Sequence, residues 1–146
     1  MLGRLARWMR FLGFDTLYSP DISDSRLIRI AKEQDRYILT RDTHLIEVKG
    51  VKDYLLIKAD DPFEQLLEVF DTLQIKQFNP LSRCVECNGL LTSILDKREI
   101  QDSVPEFVFL HFNVFMRCID CGKIYWEGTQ PKKFREKLNE ILKKGW

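Results

Sequence analysis

The sequence has no apolar run approaching about 18 residues, which excludes a membrane-spanning helix. It has almost no net charge: 23 Lys and Arg stand against 22 Asp and Glu, a formal +1. That excludes a global electrostatic attraction to nucleic acid, so any such partner must be read from local patches. There is no low-complexity stretch, and no internal repeat longer than a C-x-x-C pair. The opening "MLGRLARWMRFLG" lacks the uninterrupted apolar core of a secretory signal, because Arg4, Arg7 and Arg10 break it up. It also has no serine before Ser19, unlike the serine-rich transit peptides of organelles. These absences favour a cytoplasmic protein. Disorder is excluded as well, since hydrophobic residues make up 45% of the 146. The length fits one domain, or one with a small appendage.

Cysteine is scarce but regularly placed. "CVEC" holds Cys84 and Cys87, and "CIDC" holds Cys118 and Cys121, with thirty residues between the pairs. A cytoplasmic chain does not normally rely on disulfides. Two C-x-x-C pairs suit tetrahedral zinc, because each short loop presents two thiolates to one ion. The alternative, a redox C-x-x-C, usually involves a single pair at the start of a helix. Gly122, in "CGK", can take the positive φ that a tight metal-binding turn demands, and "CNG" after the first pair has the same character. With cysteine in all four positions the ion has no open site, so it would be structural.

Composition shifts near "QFNPLSRC", where Asn79-Pro80 signals a turn. This divides the chain into residues 1–79 and residues 80–146. In the first part, Leu2, Leu5, Ala6, Met9 and Leu12 recur at helical spacing, with Gly13 placed to end the helix. "FDTLYS" predicts a short strand. "DISDSRLIRIAKEQ" predicts a helix with Asp24 as N-cap and Leu27, Ile28, Ile30 and Ala31 as its apolar residues. "YILT" and "DYLLIK" predict buried strands, "RDTHLIEVK" a short helix, and "DPFEQLLEVFDTL" a helix with Pro62 in its first turn. Strands alternating with helices argue for an α/β domain with a parallel sheet. In the second part, "LLTSIL", "EFVFLHFNVFMRC" and "KIYWEG" predict the strands of a zinc ribbon. "QPKKFREKLNEILKKGW" predicts a basic amphipathic helix.

Sites in parallel α/β sheets form outside the carboxyl ends of the strands. Asp42 follows the "YILTR" strand, and Asp24 opens the helix after "DTLYS". Two converging carboxylates suit Mg or Mn, which can activate water against a phosphodiester. Both acids serve equally well as helix N-caps, and position alone favours that reading. His44 is a candidate ligand or proton shuttle, or a solvent-facing residue of a first helical turn. His111, in an apolar strand, is expected on the solvent side. Basic residues cluster on the opening helix (Arg4, Arg7, Arg10) and in the tail (Lys132, Lys133, Arg135, Lys137, Lys143, Lys144). Such patches either track a phosphate backbone or form a solvated face.

"MLGRLARWMRFLGFDTLY", "YILTRD", "SRCVECNGLL", Val104-Pro105 and "CIDCGKIYWEGT" occur in that order. Together they resemble the Mut-seven C-terminal RNase-domain family, once known as domain of unknown function eighty-two, over nearly the whole chain. The resemblance implies a PIN-like parallel sheet with flanking helices, a C-terminal zinc ribbon and metal-dependent RNA cleavage. It implies Asp24 and Asp42 as catalytic acids holding Mg or Mn. Cys84, Cys87, Cys118 and Cys121 become structural zinc ligands; the basic residues Arg4, Arg7, Arg10, Arg41, Lys132 and Lys133 are the expected RNA contacts. Three departures stand out. His44 takes a position where many PIN-like proteins have another acid, and Gln130 replaces a histidine common after "YWxGT". Family members also begin with a strand ending in Asp just before "MLG". Here Met1 is that methionine, so the N-terminal strand and its acid are expected either to lie upstream of this start or to be lost, in which case cleavage would be impaired and a sheet edge open to a second copy. The alternative function is a catalytically inert RNA-binding zinc-ribbon protein. A third is a protein-interaction ribbon.

Overall fold

The opening helix forms because its apolar residues repeat on one face. In the computed structural model, which describes residues 2–127 together with Glu136 and Glu140, α1 spans Gly3–Phe11. Leu5, Ala6, Met9 and Leu12 are all buried, as their spacing predicts. The helix ends in a Schellman motif: Phe14 N–H donates to Met9 O, and Gly13 N–H to Arg10 O. Gly13 sits at φ +94°. No helix of the described residues is long and apolar enough to cross a membrane. The expected tail helix, with Lys132 and Lys133, lies outside the described residues.

The chain divides into two compact units, one of Met1–Ala6 and Leu17–Lys76, the other of Arg7–Thr16 and Gln77–Trp146. The first is mixed α/β. Helix α2 spans Asp24–Glu33, strand β1 Ile38–Thr40, strand β2 Tyr54–Leu56 and helix α3 Pro62–Leu73. β1 and β2 pair in parallel, with Ile38 opposite Tyr54 and Thr40 opposite Leu56. Ile28 of α2, Ile38 of β1 and Leu45 form a buried cluster, against which Leu27, Ala31 and Val51 pack. Between the strands, the expected helix of "RDTHLIEVK" is reduced to one 3-10 turn, Leu45–Glu47.

Two local expectations change here. The N-cap of α2 is Ser23, whose Oγ accepts the Arg26 N–H, so Asp24 stands in the first helical turn instead. "FDTLYS" forms no strand, because side chains take up its backbone groups. Thr16 N–H donates to Asn88 Oδ1 (2.9 Å), and Thr16 O accepts from Arg10 Nε (2.8 Å).

The second unit carries an antiparallel sheet of β3 (Leu91–Ser93), β4 (Phe115–Cys118) and β5 (Ile124–Trp126), in that order. Leu91 faces Cys118, and Phe115 faces Trp126. The expected long strand "EFVFLHFNVFMRC" is instead a short helix, α4 (Glu106–His111), followed by β4. Pro105 precedes α4 with a φ of −59° already suited to a helix start. Lys97 Nζ secures its far end by donating to Phe109 O (2.7 Å) and Phe112 O (3.4 Å). His111 is thus the last residue of a helix, its ring stacked on Phe107 at 4.1 Å between centroids.

Candidate metal centre and carboxylate edge

Each cysteine pair sits in a tight turn, and the two turns are built alike. Cys84 O accepts from Asn88 N–H, and Cys84 N–H donates to Gly89 O. Cys118 O accepts from Gly122 N–H, and Cys118 N–H donates to Lys123 O. The residue four after the first cysteine is left-handed in both, Asn88 at φ +70° and Gly122 at φ +80°. The expectation for Gly122 holds, whereas in "CNG" the asparagine makes the turn. Gly89 is needed for another reason: a Cβ there would stand 2.8 Å from Cys118 Sγ.

The result gathers four sulfurs. All four Sγ atoms lie within 4.8 Å of one another, with Cys84–Cys121 at 3.6 Å and Cys87–Cys118 at 3.4 Å. These distances are far beyond the roughly 2.05 Å of a disulfide. They approach the edge of about 3.8 Å for a sulfur tetrahedron with Zn–S bonds of about 2.3 Å. The donor set and its spacing therefore fit a structural zinc ion. Crowding the four thiols drives their ionisations apart. Burial raises the Cys118 thiol, but the N–H groups of Cys121 and Asp120 and the neighbouring thiols outweigh it, leaving it at about 7. The Gly89 N–H lowers Cys87, but burial and the other three thiols push it up to about 12. A central dication removes this conflict, since coordinated thiols are deprotonated outright.

The acids lie in the other unit. Asp42 is exposed just past β1; its Oδ1 accepts the His44 N–H (2.8 Å), and its own N–H donates to Thr40 Oγ1 (3.0 Å). His44 is exposed. Asp24 is exposed at the start of α2. Among the described residues, only the four cysteines bring three or more His, Cys, Asp or Glu ligand atoms together. Asp60 and Asp61 also lie beyond the carboxyl end of a strand, β2, where the same strand-end rule applies. Arg41 Nη2 donates to Asp60 Oδ1 at 2.6 Å, tying together the segments that follow the two parallel strands. Asp61 caps α3, accepting from Phe63 and Glu64 N–H groups.

The proposed RNA contacts are placed differently from one another. Arg4 is exposed on α1. The Arg7 side chain, 51% exposed, pairs with Glu86 at 3.1 Å, and Lys123 pairs with the same carboxylate. Both partners hold the Glu86 carboxyl below its usual range. Arg10 is buried, and its guanidinium donates to Thr16 O (2.8 Å), Val85 O (3.0 Å) and Glu86 O (3.4 Å). Burial lowers its pKa, opposed by the charges of Cys87 and Cys84. This placement gives Arg10 to the cysteine turn.

The Mut7-C RNAse domain model matches residues 1–138. The chain therefore belongs to the Mut7-C RNAse domain family, and its resemblance to that family's motifs is confirmed. No curated protein and no solved structure matches it.

Proposed function

We propose that the protein is a divalent-metal-dependent ribonuclease whose carboxylate edge lies beyond β1, with Asp42 and Asp24 as its acids. Membership of the RNAse-domain family over residues 1–138 is the observation that carries this reading. Asp24 and Asp42 would hold Mg or Mn. Such ions need few protein carboxylates, keeping several waters and taking substrate phosphate oxygens. When bound, the ion supplies an activated water and stabilises charge on the phosphodiester. The chain's own part is positional: the turn to His44 fixes the Asp42 carboxylate, and the salt bridge to Asp60 fixes Arg41. Arg4, Arg7, Arg41, Lys132 and Lys133 supply positive charge for the RNA backbone, and Arg10 drops out of that set. Labelled single-stranded RNA incubated with Mn should be cleaved by the wild type, and Asp42→Asn should slow this by about 100-fold or more. Equal cleavage by both proteins would assign the activity to a contaminant.

The second reading is an inert RNA-binding zinc-ribbon protein. It is favoured by the absence, among the described residues, of a three-ligand acidic cluster. It predicts salt-sensitive RNA affinity with no divalent-dependent cleavage.

A further inference from the structure

The first cysteine turn is gripped by buried side chains that are not ligands. Tyr125, on β5, is 3% exposed, and its hydroxyl lies 3.0 Å from both Cys84 Sγ and the Val85 N. Val85 N–H can only donate, so the hydroxyl accepts there. A tyrosine has one proton to give, and a metal-bound thiolate has none. The Tyr125 proton must therefore point at Cys84 Sγ. Arg10, 8% exposed, donates to Val85 O and Glu86 O, the carbonyls of the two residues between Cys84 and Cys87. The turn is thus held at its sulfur by one side chain and along its backbone by another.

The chemistry calls for such partners. Four thiolates around one dication leave a surplus of two negative charges in a partly buried site. Hydrogen bonds to ligand atoms, and cations near them, offset that surplus and fix ligand orientation. Asp120 and Cys121 N–H groups approach Cys118 Sγ at 3.4 and 3.5 Å. The Cys84 sulfur receives its hydrogen bond from Tyr125 instead.

We infer that Tyr125 and Arg10 are positioning residues of the cysteine metal site. Tyr125 damps the charge of the Cys84 thiolate, and Arg10 holds the "CVEC" loop in its ligating shape. The inference rests on the reading of the four cysteines as a zinc site. Two measurements on the full chain separate it from a merely structural role: zinc affinity by competition with a chromophoric chelator, and the thiolate-to-cobalt charge-transfer band after cobalt substitution. Tyr125→Phe should weaken zinc binding by about 10- to 100-fold. It should also move the cobalt band to lower energy, because an unbonded thiolate gives up its electron more readily. Arg10→Gln should weaken zinc binding comparably but move the band less than Tyr125→Phe, because its hydrogen bonds go to carbonyls and its charge acts on the sulfurs only at a distance. Zinc affinity and band position matching the wild type in Tyr125→Phe would overturn the inference, even if that variant melted earlier. Should Tyr125→Phe not fold, wild-type zinc affinity in Arg10→Gln would overturn it. A wild type that gave no tetrathiolate cobalt spectrum would overturn the metal reading itself.

Discussion

At Asn88 the backbone is left-handed, and both ends of the side-chain amide are engaged: Nδ2 donates to Asp15 Oδ1 (2.7 Å), and Oδ1 accepts from Thr16 N–H (2.9 Å). Asparagine is among the few residues that enter this conformation easily. Alanine would add backbone strain of about 1–2 kcal/mol and leave the Thr16 N–H without its acceptor. Glycine would remove the strain but not replace the hydrogen bonds. Denaturant unfolding should therefore rank stability as wild type, then Asn88→Gly, then Asn88→Ala, with the last about 2–3 kcal/mol below the first. An alanine variant as stable as the glycine variant would show that the turn bears no strain. Arg10 carries the same lesson. Its periodic position beside Arg4 and Arg7 suggested a cationic face, yet one turn of helix separates an exposed arginine from one buried against carbonyls.

Elements of the second unit are decided by groups distant in sequence. "EFVFLHFNVF" is apolar at every period, so alternation could not distinguish helix from strand. Lys97 resolves it at the far end by donating to carbonyls that the helix leaves unpaired. Its ammonium also stands 4.8 Å from the Phe109 ring centroid. Lys97→Met keeps the aliphatic stem and removes the charge. It should destabilise the unit by about 1 kcal/mol and release the Phe112 amide to faster hydrogen exchange. Unchanged exchange there would mean that α4 holds without this cap. "FDTLYS" lost its strand for the converse reason, since side-chain partners took the backbone groups a ladder would need. In the first unit α2, β1, β2 and α3 were legible, because apolar periodicity and Pro62 at the first turn act within the segment itself.

For the molecule as a whole, a structural metal at the cysteine site would contribute stability on the scale of folding. Structural zinc sites contribute apparent free energies of about 10–16 kcal/mol at pH 7, as large as the whole stability of most domains. Here Cys84 and Cys118 are themselves buried core, packed with Tyr125 and flanked by Leu81, Val85, Leu91 and Met116. Chelation should therefore abolish the β3–β4–β5 amide protection in hydrogen exchange while β1 and β2 keep theirs. Loss of both together would make the two units one cooperative block. Binding must also strip protons from thiols such as Cys87, raised to about 12. Apparent zinc affinity should accordingly climb with pH, more steeply below about 7, where Cys118 is still protonated, and on toward about 12, where Cys87 loses its proton, and proton release in weak buffer should accompany binding.

The family, the four clustered cysteines, the α/β character of the first unit and the strand-end placement of Asp42 were all legible in the chain as text. Each rests on spacing along one segment, or on motifs that survive as text. Only the tertiary structure decided that Arg10 is buried, that Tyr125 touches a ligand sulfur, that "FDTLYS" is not a strand and that Arg41 meets Asp60. Those outcomes depend on hydrogen-bond partners 6 to 76 residues away in sequence, as with Arg10, which reaches both Thr16 and Glu86. Pairing of that kind leaves no period in the chain. It exists only once folding has brought the donors and acceptors together.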